Sequence, residues 1–141
     1  MKVYLDTNVL LDLLLARPEG VDTAETVMAM CYRKELEGAV NTLTICNILY
    51  ILRKYIGSAR AEREVKRFCG FIALLPTTVG SVMDNLCGMH SDFEDAVQIS
   101  CAMEWGADVI LTRDKGGFVG SAIRVLSPQE FLEFNSAKGT D

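Results

Sequence analysis

Four aspartates and one asparagine in this sequence have the side chains and the placement for metal chemistry. They follow short apolar runs or begin amphipathic segments, and they are Asp6, Asn47, Asp92, Asp95 and Asp114. Several carboxylates at close range stay ionised only when a cation lies among them. A site with oxygen donors alone favours magnesium or manganese over zinc or copper. Such an ion can activate water and polarise a phosphate, so these residues predict hydrolysis of phosphodiester bonds.

The acids also have structural interpretations. Asp6 could accept hydrogen bonds from backbone N–H groups at the start of the next helix. Asp92 and Asp95 fit the N-cap and N3 positions of a helix, which would satisfy its free N–H groups. Glu94, between them, is expected to be solvated. A helix start does not need three acids in four residues, however, and this excess favours a site.

The other two candidates have similar alternatives. Asp114 could form a turn with Gly116 and Gly117. Asn47 could cap or bridge backbone groups in the core. No single residue decides between structure and chemistry. The hypothesis of a site depends on their joint placement after strands and at helix starts.

Bringing these side chains together requires a particular arrangement of elements. Apolar runs typical of strands alternate with segments typical of helices. The predicted strands are residues 3–5, 39–41, 73–76, 108–112 and 123–125. The alternation predicts an α/β protein with a central parallel sheet of four to five short strands and helices on both faces. Ligands bind such sheets beyond the carboxyl ends of the strands, where Asp6 and Asp114 fall.

Cap residues and glycines mark the predicted helices. The second is expected to start at Asp22 in "DTAE" and to stop at Gly38. The third is expected to be capped by Thr42 or Thr44, and the last by the serine of "SPQE". The predicted helices span about residues 9–16, 22–37, 42–55, 58–71, 79–88, 92–106 and 127–134.

The composition narrows the class of protein. With 141 residues, of which 50% are hydrophobic, we expect a single domain over residues 1–141 with a flexible tail from about residue 135. The net charge of -5 argues against broad adhesion to nucleic acid or an anionic membrane. No apolar run approaches the ~20 residues of a membrane span, and the N-terminus is a poor signal peptide. Five scattered cysteines favour free thiols in the cytoplasm over disulfides or a zinc site.

The sequence lacks the motifs that are typical of other classes of enzyme. The sequence contains no G-x-S-x-G, Walker A or G-x-G-x-x-G motif. "GGFVG", residues 116–120, opens no helical pattern, and the one histidine, His90, is expected in a loop. A phosphatase with an aspartyl nucleophile would need an Asp-x-Asp pair after the first strand, and the second position here is Asn8. That activity is therefore disfavoured.

Three segments of the chain together resemble the PIN domain family. They are "VYLDTNVLLDLLL" at residues 3–15, "DFEDAVQISCAMEWGADVILTRD" at 92–114 and "SPQEFL" at 127–132. The resemblance implies a three-layer α/β/α fold and magnesium- or manganese-dependent cleavage of single-stranded RNA. The acids that match the family's metal-binding positions are Asp6, Asp95 and Asp114. Polar positions that support them match Asn8 and Thr112.

The resemblance also implies partners. Many bacterial members of the family are toxins of the VapC type, so an antitoxin protein is expected if this chain is one of them. PIN-like proteins also tend to form homodimers. An RNA substrate, an antitoxin and a second copy of the chain are thus the expected partners, and a membrane is not.

One position departs from the family pattern. The family commonly has a glutamate in the helix after the second strand, and the aligned residue here is Asn47, in "TLTICNILYIL". An amide can hold a water molecule but carries no charge. Asp92, one helical turn from Asp95, could supply the missing negative charge. Two alternatives stay open: an active ribonuclease, and a weakly active or non-catalytic module that binds RNA or a protein.

Basic residues are concentrated in one part of the chain, with six of the 14 lysines and arginines between residues 53 and 67. They could form a rim that contacts RNA phosphates, or a solvated helix face with local ion pairs. Arg113 and Lys115 flank Asp114 and could contact the scissile phosphate or neutralise the acids. The candidate RNA contacts are Arg53, Arg63, Lys66, Arg67, Arg113 and Lys115.

Overall fold

A parallel five-stranded sheet forms the centre of the computed structural model, which describes residues 1–90 and 92–139. The strands are β1 (Lys2–Leu5), β2 (Glu37–Asn41), β3 (Ala73–Leu75), β4 (Val109–Leu111) and β5 (Arg124–Leu126). Their order is β3-β2-β1-β4-β5. Because β1 pairs with both β2 and β4, Val3 lies beside Gly38 on one side and Val109 on the other. The predicted parallel sheet is confirmed.

Helices cover both faces of this sheet. They are α1 (Thr7–Leu14), α2 (Val21–Tyr32), α3 (Thr42–Ile56), α4 (Ser58–Phe68), α5 (Val79–Met83), α6 (Phe93–Trp105) and α7 (Pro128–Lys138). Alternate residues of each strand point to opposite faces, so Val3 and Leu5 pack in one core with α1 to α4 and α7. Tyr4 and Ile110 pack in a second core with α6, and α5 packs on α6. The expected three-layer α/β/α architecture is confirmed.

The second helix differs from the prediction at both ends. It begins at Val21 with Gly20 as its N-cap, so Asp22 lies in the first turn instead of capping it. It ends at Tyr32, well before Gly38, which lies inside β2. A Cβ on Gly38 would lie 2.6 Å from Ile72 Cδ1 and 2.7 Å from Cys31 Sγ. The glycine therefore permits close packing of the strand and does not stop a helix.

Further boundaries differ. Asn41, rather than either threonine, caps α3, because its side chain accepts a hydrogen bond of 2.7 Å from the Thr44 N–H. The fourth helix ends at Phe68, and α5 ends at Met83 instead of continuing to residue 88. Helix α1 begins at Thr7, two residues before the predicted Val9, and α6 begins directly after its predicted N-cap, Asp92.

The last helix begins as predicted and runs further than predicted. Ser127 and Glu130 form a capping box, with Pro128 in the first helical position. The helix extends to Lys138, so residues 135–138 are helical instead of a flexible tail; residues 140–141 lie outside the described part of the chain. None of the described helices has the length and apolar character needed to cross a membrane.

Candidate active site

Asp6 lies at the carboxyl end of β1 and starts the next helix. Its backbone N–H donates to the Leu111 carbonyl of β4, and its Oδ1 accepts from the Thr7 N–H at 2.7 Å. The capping role is therefore real. Its other oxygen, Oδ2, accepts from the Thr112 hydroxyl at 2.8 Å. Only 4% of Asp6 is exposed, and this burial raises the pKa of its carboxyl above the ordinary value.

A buried amide, Gln98 of α6, joins two of the acids. Its Nε2 donates to Asp6 Oδ1 at 3.1 Å and to Asp95 Oδ1 at 3.3 Å. Its Oε1 accepts from the hydroxyls of Tyr4 and Thr44 at 3.3 and 3.4 Å. These hydroxyls fix which end of the amide faces the acids. Sequence reasoning missed Gln98, although its position three residues after Asp95 places both on one face of the helix.

The start of α6 contributes two aspartates to the site. Asp92 is the N-cap, and its Oδ1 accepts from the Asp95 N–H at 3.1 Å. Both side chains line the same pocket as Asp6. The pKa of Asp95 is raised to about 7, first by burial and then by the negative charges of nearby acids. Asp95 thus titrates near neutral pH.

Asp114 follows β4 and begins a single 3₁₀ turn, Lys115–Phe118. Its Oδ1 accepts from the Gly116 N–H at 3.2 Å, and its own N–H donates to the Thr112 hydroxyl at 3.1 Å. Thr112 therefore links Asp6 and Asp114. The 3₁₀ turn brings Gly117 against Asp95, where an added Cβ would lie 1.8 Å from Asp95 Oδ2. The glycine-rich segment 116–120, to which the sequence assigned no role, therefore leaves the space that the Asp95 side chain occupies.

Glu94 corrects another expectation, because it is half-buried and not solvated. Its Oε1 accepts a hydrogen bond of 2.6 Å from Asn47 Nδ2 on α3. Burial raises the pKa of the Glu94 carboxyl, while the bond from Asn47 acts in the opposite direction. Asn47 is not among the pocket's lining residues and contacts the acids through Glu94. Asn47, the residue that departs from the family pattern, thus holds the carboxylate of Glu94 in the pocket.

These side chains surround a cavity of about 210 Å³ at the carboxyl ends of the strands. Its lining residues are Asp6, Thr7, Asn8, Leu11, Ile51, Asp92, Glu94, Asp95 and Asp114. Among the residues that the structure describes, five carboxylates line it and no lysine or arginine does. A larger cavity of about 350 Å³ lies at the opposite ends of the strands, but it mixes Asp108 with Arg124 and Lys138. Chemistry, and not size, identifies the candidate site.

The donor set of this pocket fits a hard divalent cation. All its charged groups are carboxylates, which are the preferred ligands of magnesium and manganese. Among the described residues, no three acidic, histidine or cysteine side chains are already gathered into a metal-binding group. The carboxylates therefore share a cavity without converging on one point. A cation among them would reduce the repulsion between their negative charges.

The basic residues next to Asp114 are turned to other partners. Arg113 donates from Nε and Nη2 to the carboxylate of Asp12 on α1. Lys115 Nζ donates to both oxygens of Glu130 at 2.8 and 2.9 Å. In the structure neither cation pairs with the acids of the pocket, and contact of these residues with a phosphate stays a prediction. Asp12 lies buried on an apolar helix, and nothing in the sequence indicated that Arg113 would be its partner.

The other basic residues lie on α3 and α4. Arg53 stacks over the ring of Tyr50, with its guanidinium 4.6 Å from the ring centre. Arg67 pairs with Glu64 at 3.1 Å, an exposed pair of the kind that adds little stability. Arg63 and Lys66 are exposed. Contact of these residues with RNA stays a prediction.

Comparisons with known proteins place the chain among proteins of known fold. Residues 2–116 match the family described as PIN domain. No curated protein matches the sequence.

Several solved structures resemble the chain along most of its length. VapBC2 from Rickettsia felis, bound to a DNA fragment from its promoter, is 12% identical with a TM-score of 0.68, covering 90% of this chain and 98% of that one. DNA-bound VapBC from Salmonella typhimurium is 17% identical with a TM-score of 0.68, covering 91% and 98%. The Mycobacterium tuberculosis toxin VapC20, which cleaves the sarcin-ricin loop, is 14% identical with a TM-score of 0.65, covering 80% and 90%. At these identities the likeness establishes the fold.

Proposed function

The chain belongs to the PIN domain family, and on that premise we propose that it is a metal-dependent ribonuclease that hydrolyses phosphodiester bonds of single-stranded RNA. One observation carries the proposal: five carboxylates line a single pocket that, in the described part of the chain, no lysine or arginine lines. Such a pocket is electrostatically unfavourable when empty and favourable around a divalent cation. The role that best accounts for it is metal-assisted hydrolysis.

Asp6, Asp95 and Asp114 would hold magnesium or manganese, with Asp92 and Glu94 adding charge or orienting water. When bound, the ion would polarise the phosphate and lower the pKa of a water molecule. Thr112 and Gln98 orient Asp6 by donating to its two oxygens. Asp95, with a pKa of about 7, can carry a proton in the empty pocket and release it when a positive charge enters.

The RNA would lie across the exposed basic side chains of α3 and α4. The candidates that keep this role are Arg53, Arg63, Lys66 and Arg67. Contacts of this kind bind phosphates without reading sequence, so they predict salt-sensitive affinity and no choice of target. Arg113 and Lys115 would join them only after leaving Asp12 and Glu130.

The biological role proposed is that of a toxin with an antitoxin partner. Similar folds include VapBC complexes and a toxin that cleaves the sarcin-ricin loop. By that likeness, an antitoxin would block the acidic pocket, and two copies of the chain would associate. A small gene beside the one that encodes this chain, whose product binds it and inhibits cleavage, would support the role.

The proposal is tested by cleavage of labelled single-stranded RNA. We expect cleavage with Mg²⁺ or Mn²⁺ and none with chelator. Asp6→Asn should reduce the rate roughly 100-fold or more, because it removes a charge that the transition state needs. Asp84→Asn, an exposed aspartate outside the pocket, is the matched control and should cut like the wild type.

Two results would contradict this function. One is wild-type protein that cuts no RNA with either ion, and the other is an Asp6→Asn variant that cuts as well as the wild type. Activity on a phosphomonoester but not on RNA would point instead to a phosphatase.

A non-catalytic binding module is the second candidate, and Asn47 is the observation that favours it. Its amide carries no charge and contacts Glu94 outside the pocket lining. In that case RNA would bind without being cut and without a metal. Charge reversal at Arg63 and Lys66 would then weaken binding, and Asp6→Asn would not.

A further inference from the structure

An ion pair between the buried Asp12 and the exposed Arg113 lies outside the lining of the acidic pocket, although Arg113 directly precedes Asp114 in the chain. Asp12 of α1 is only 1% exposed, and Arg113 donates to both of its oxygens, with 2.8 Å between Nη2 and Oδ1. Arg17 adds a weaker contact at 3.8 Å. Two parallel bonds of this type fix the plane of the guanidinium as well as its position.

Gly20 makes room for this pair. A Cβ on Gly20 would lie 2.0 Å from Asp12 Oδ2 and 3.2 Å from Arg113 Cδ. The N-cap of α2 thus closes over the carboxylate, which accounts for its burial. Pairing with the Arg113 guanidinium offsets the cost of burying this carboxylate.

The pair connects two elements that also build the pocket. Arg113 lies directly between Thr112, which donates to Asp6, and Asp114, which lines the pocket. Asp6 caps the same helix that carries Asp12. Arg113 is adjacent to Asp114 in the chain, yet it is not among the pocket's lining residues.

We propose that Asp12 is a positioning residue that holds Arg113 out of the acidic pocket and so keeps the pocket available to a divalent cation. Without Asp12, the Arg113 guanidinium would turn to the unneutralised carboxylates and compete with the ion. This inference rests on the proposed function only in requiring that the pocket binds a divalent cation.

The test measures Mn²⁺ affinity by electron paramagnetic resonance, with no RNA present. We expect Asp12→Asn to weaken binding about tenfold or more, because Arg113 is released and supplies a competing positive charge. The double variant Asp12→Asn with Arg113→Gln should bind within about threefold of the wild type, because residue 113 no longer supplies a competing charge. Circular dichroism spectra and melting curves establish that each variant is folded.

A second variant keeps the test decisive if Asp12→Asn does not fold. Gly20→Ala inserts a methyl group against the Asp12 carboxylate while retaining both charges, and should weaken Mn²⁺ binding in the same direction. Adding Arg113→Gln to it should remove that effect.

The outcomes separate this inference from the function on which it rests. Folded Asp12→Asn with wild-type affinity would overturn the inference, and so would a double variant that binds as weakly as Asp12→Asn, since loss of the pair's structure would then be the cause. For Gly20→Ala, wild-type affinity or a loss that Arg113→Gln leaves unchanged would be the overturning results. Wild-type protein without a Mn²⁺ site sensitive to Asp6→Asn would instead contradict the proposed function.

Discussion

Individual side chains in the pocket have two kinds of role. Asp6 caps a helix through the Thr7 N–H and presents its other oxygen to Thr112. Asp92 likewise caps α6 while it lines the pocket. The structural and chemical interpretations of these residues are therefore compatible, since a carboxylate has two oxygens and several lone pairs. Removing either residue is expected to affect both stability and chemistry.

The raised pKa of Asp95, about 7, predicts a pH-dependent affinity for metal. Below pH 7 the ion must displace a proton, so the dissociation constant should fall by up to about tenfold per pH unit as pH rises towards 7, and then level off. Titration with Mn²⁺ at pH 5.5 to 8.5 measures this. Asp95→Asn should remove the change near pH 7; an unchanged profile in that variant would contradict the assignment.

The raised pKa of Asp95 affects the stability of the ion-free protein in the opposite direction: as pH rises, metal affinity increases and stability decreases. The folded state binds a proton on Asp95 between about pH 4 and pH 7, where the unfolded chain has lost it. This group's contribution to the free energy of unfolding therefore falls as pH rises through that range and is constant above it.

At the scale of elements, the 3₁₀ turn and α6 meet at one contact that can be tested. In Gly117→Ala the added Cβ would lie 1.8 Å from Asp95 Oδ2, so the carboxylate must move. We expect RNA cleavage to fall roughly tenfold or more, because misplacement by about 1 Å is costly in a positioned site. Initial rates measure the loss.

Gly80→Ala is the matched control for this substitution. Its added Cβ would have no neighbour closer than 3.9 Å, and it lies in α5, outside the pocket lining. Cleavage by Gly117→Ala at the wild-type rate would mean that the position of Asp95 is unimportant for the reaction.

Elements with local signals were predictable from sequence, and those set by distant packing were not. The cap of α6 and the capping box of α7 are encoded within four residues, and both are confirmed. Gly38 led to the wrong prediction of a helix end. A glycine is needed there because the strand packs closely against Cys31 of α2 and Ile72, and this contact has no local signal in the sequence.

The same distinction applies to the site. That Asp6, Asp92, Asp95 and Asp114 line one pocket was predictable, because residues that follow parallel strands meet at one edge of the sheet. Glu94 and Asp12 were not identifiable, because their partners lie 47 and 101 residues away. Nothing local distinguishes a solvated glutamate from one that meets an amide on another helix.

At the scale of the whole molecule, a bound ion should stabilise the fold. A ligand at 100 times its dissociation constant adds about 2.7 kcal/mol to the free energy of unfolding. For a chain of this size we expect a rise in melting temperature of roughly 5–10 °C. Thermal melts with and without Mn²⁺ measure it, and Asp6→Asn should show little of the rise. An equal rise in that variant would locate the ion elsewhere.

The central position of β1 has a consequence for when the protein can act. The Thr112 hydroxyl that holds Asp6 is 106 residues away from it along the chain, and β1 pairs directly with β4. Contacts of such large sequence separation slow folding, because the intervening chain must first be brought together. A nascent or proteolysed chain that ends before Thr112 therefore lacks both the partner of Asp6 and Asp114 itself. Such a fragment lacks the complete candidate site, which forms only when almost the whole polypeptide has been synthesised.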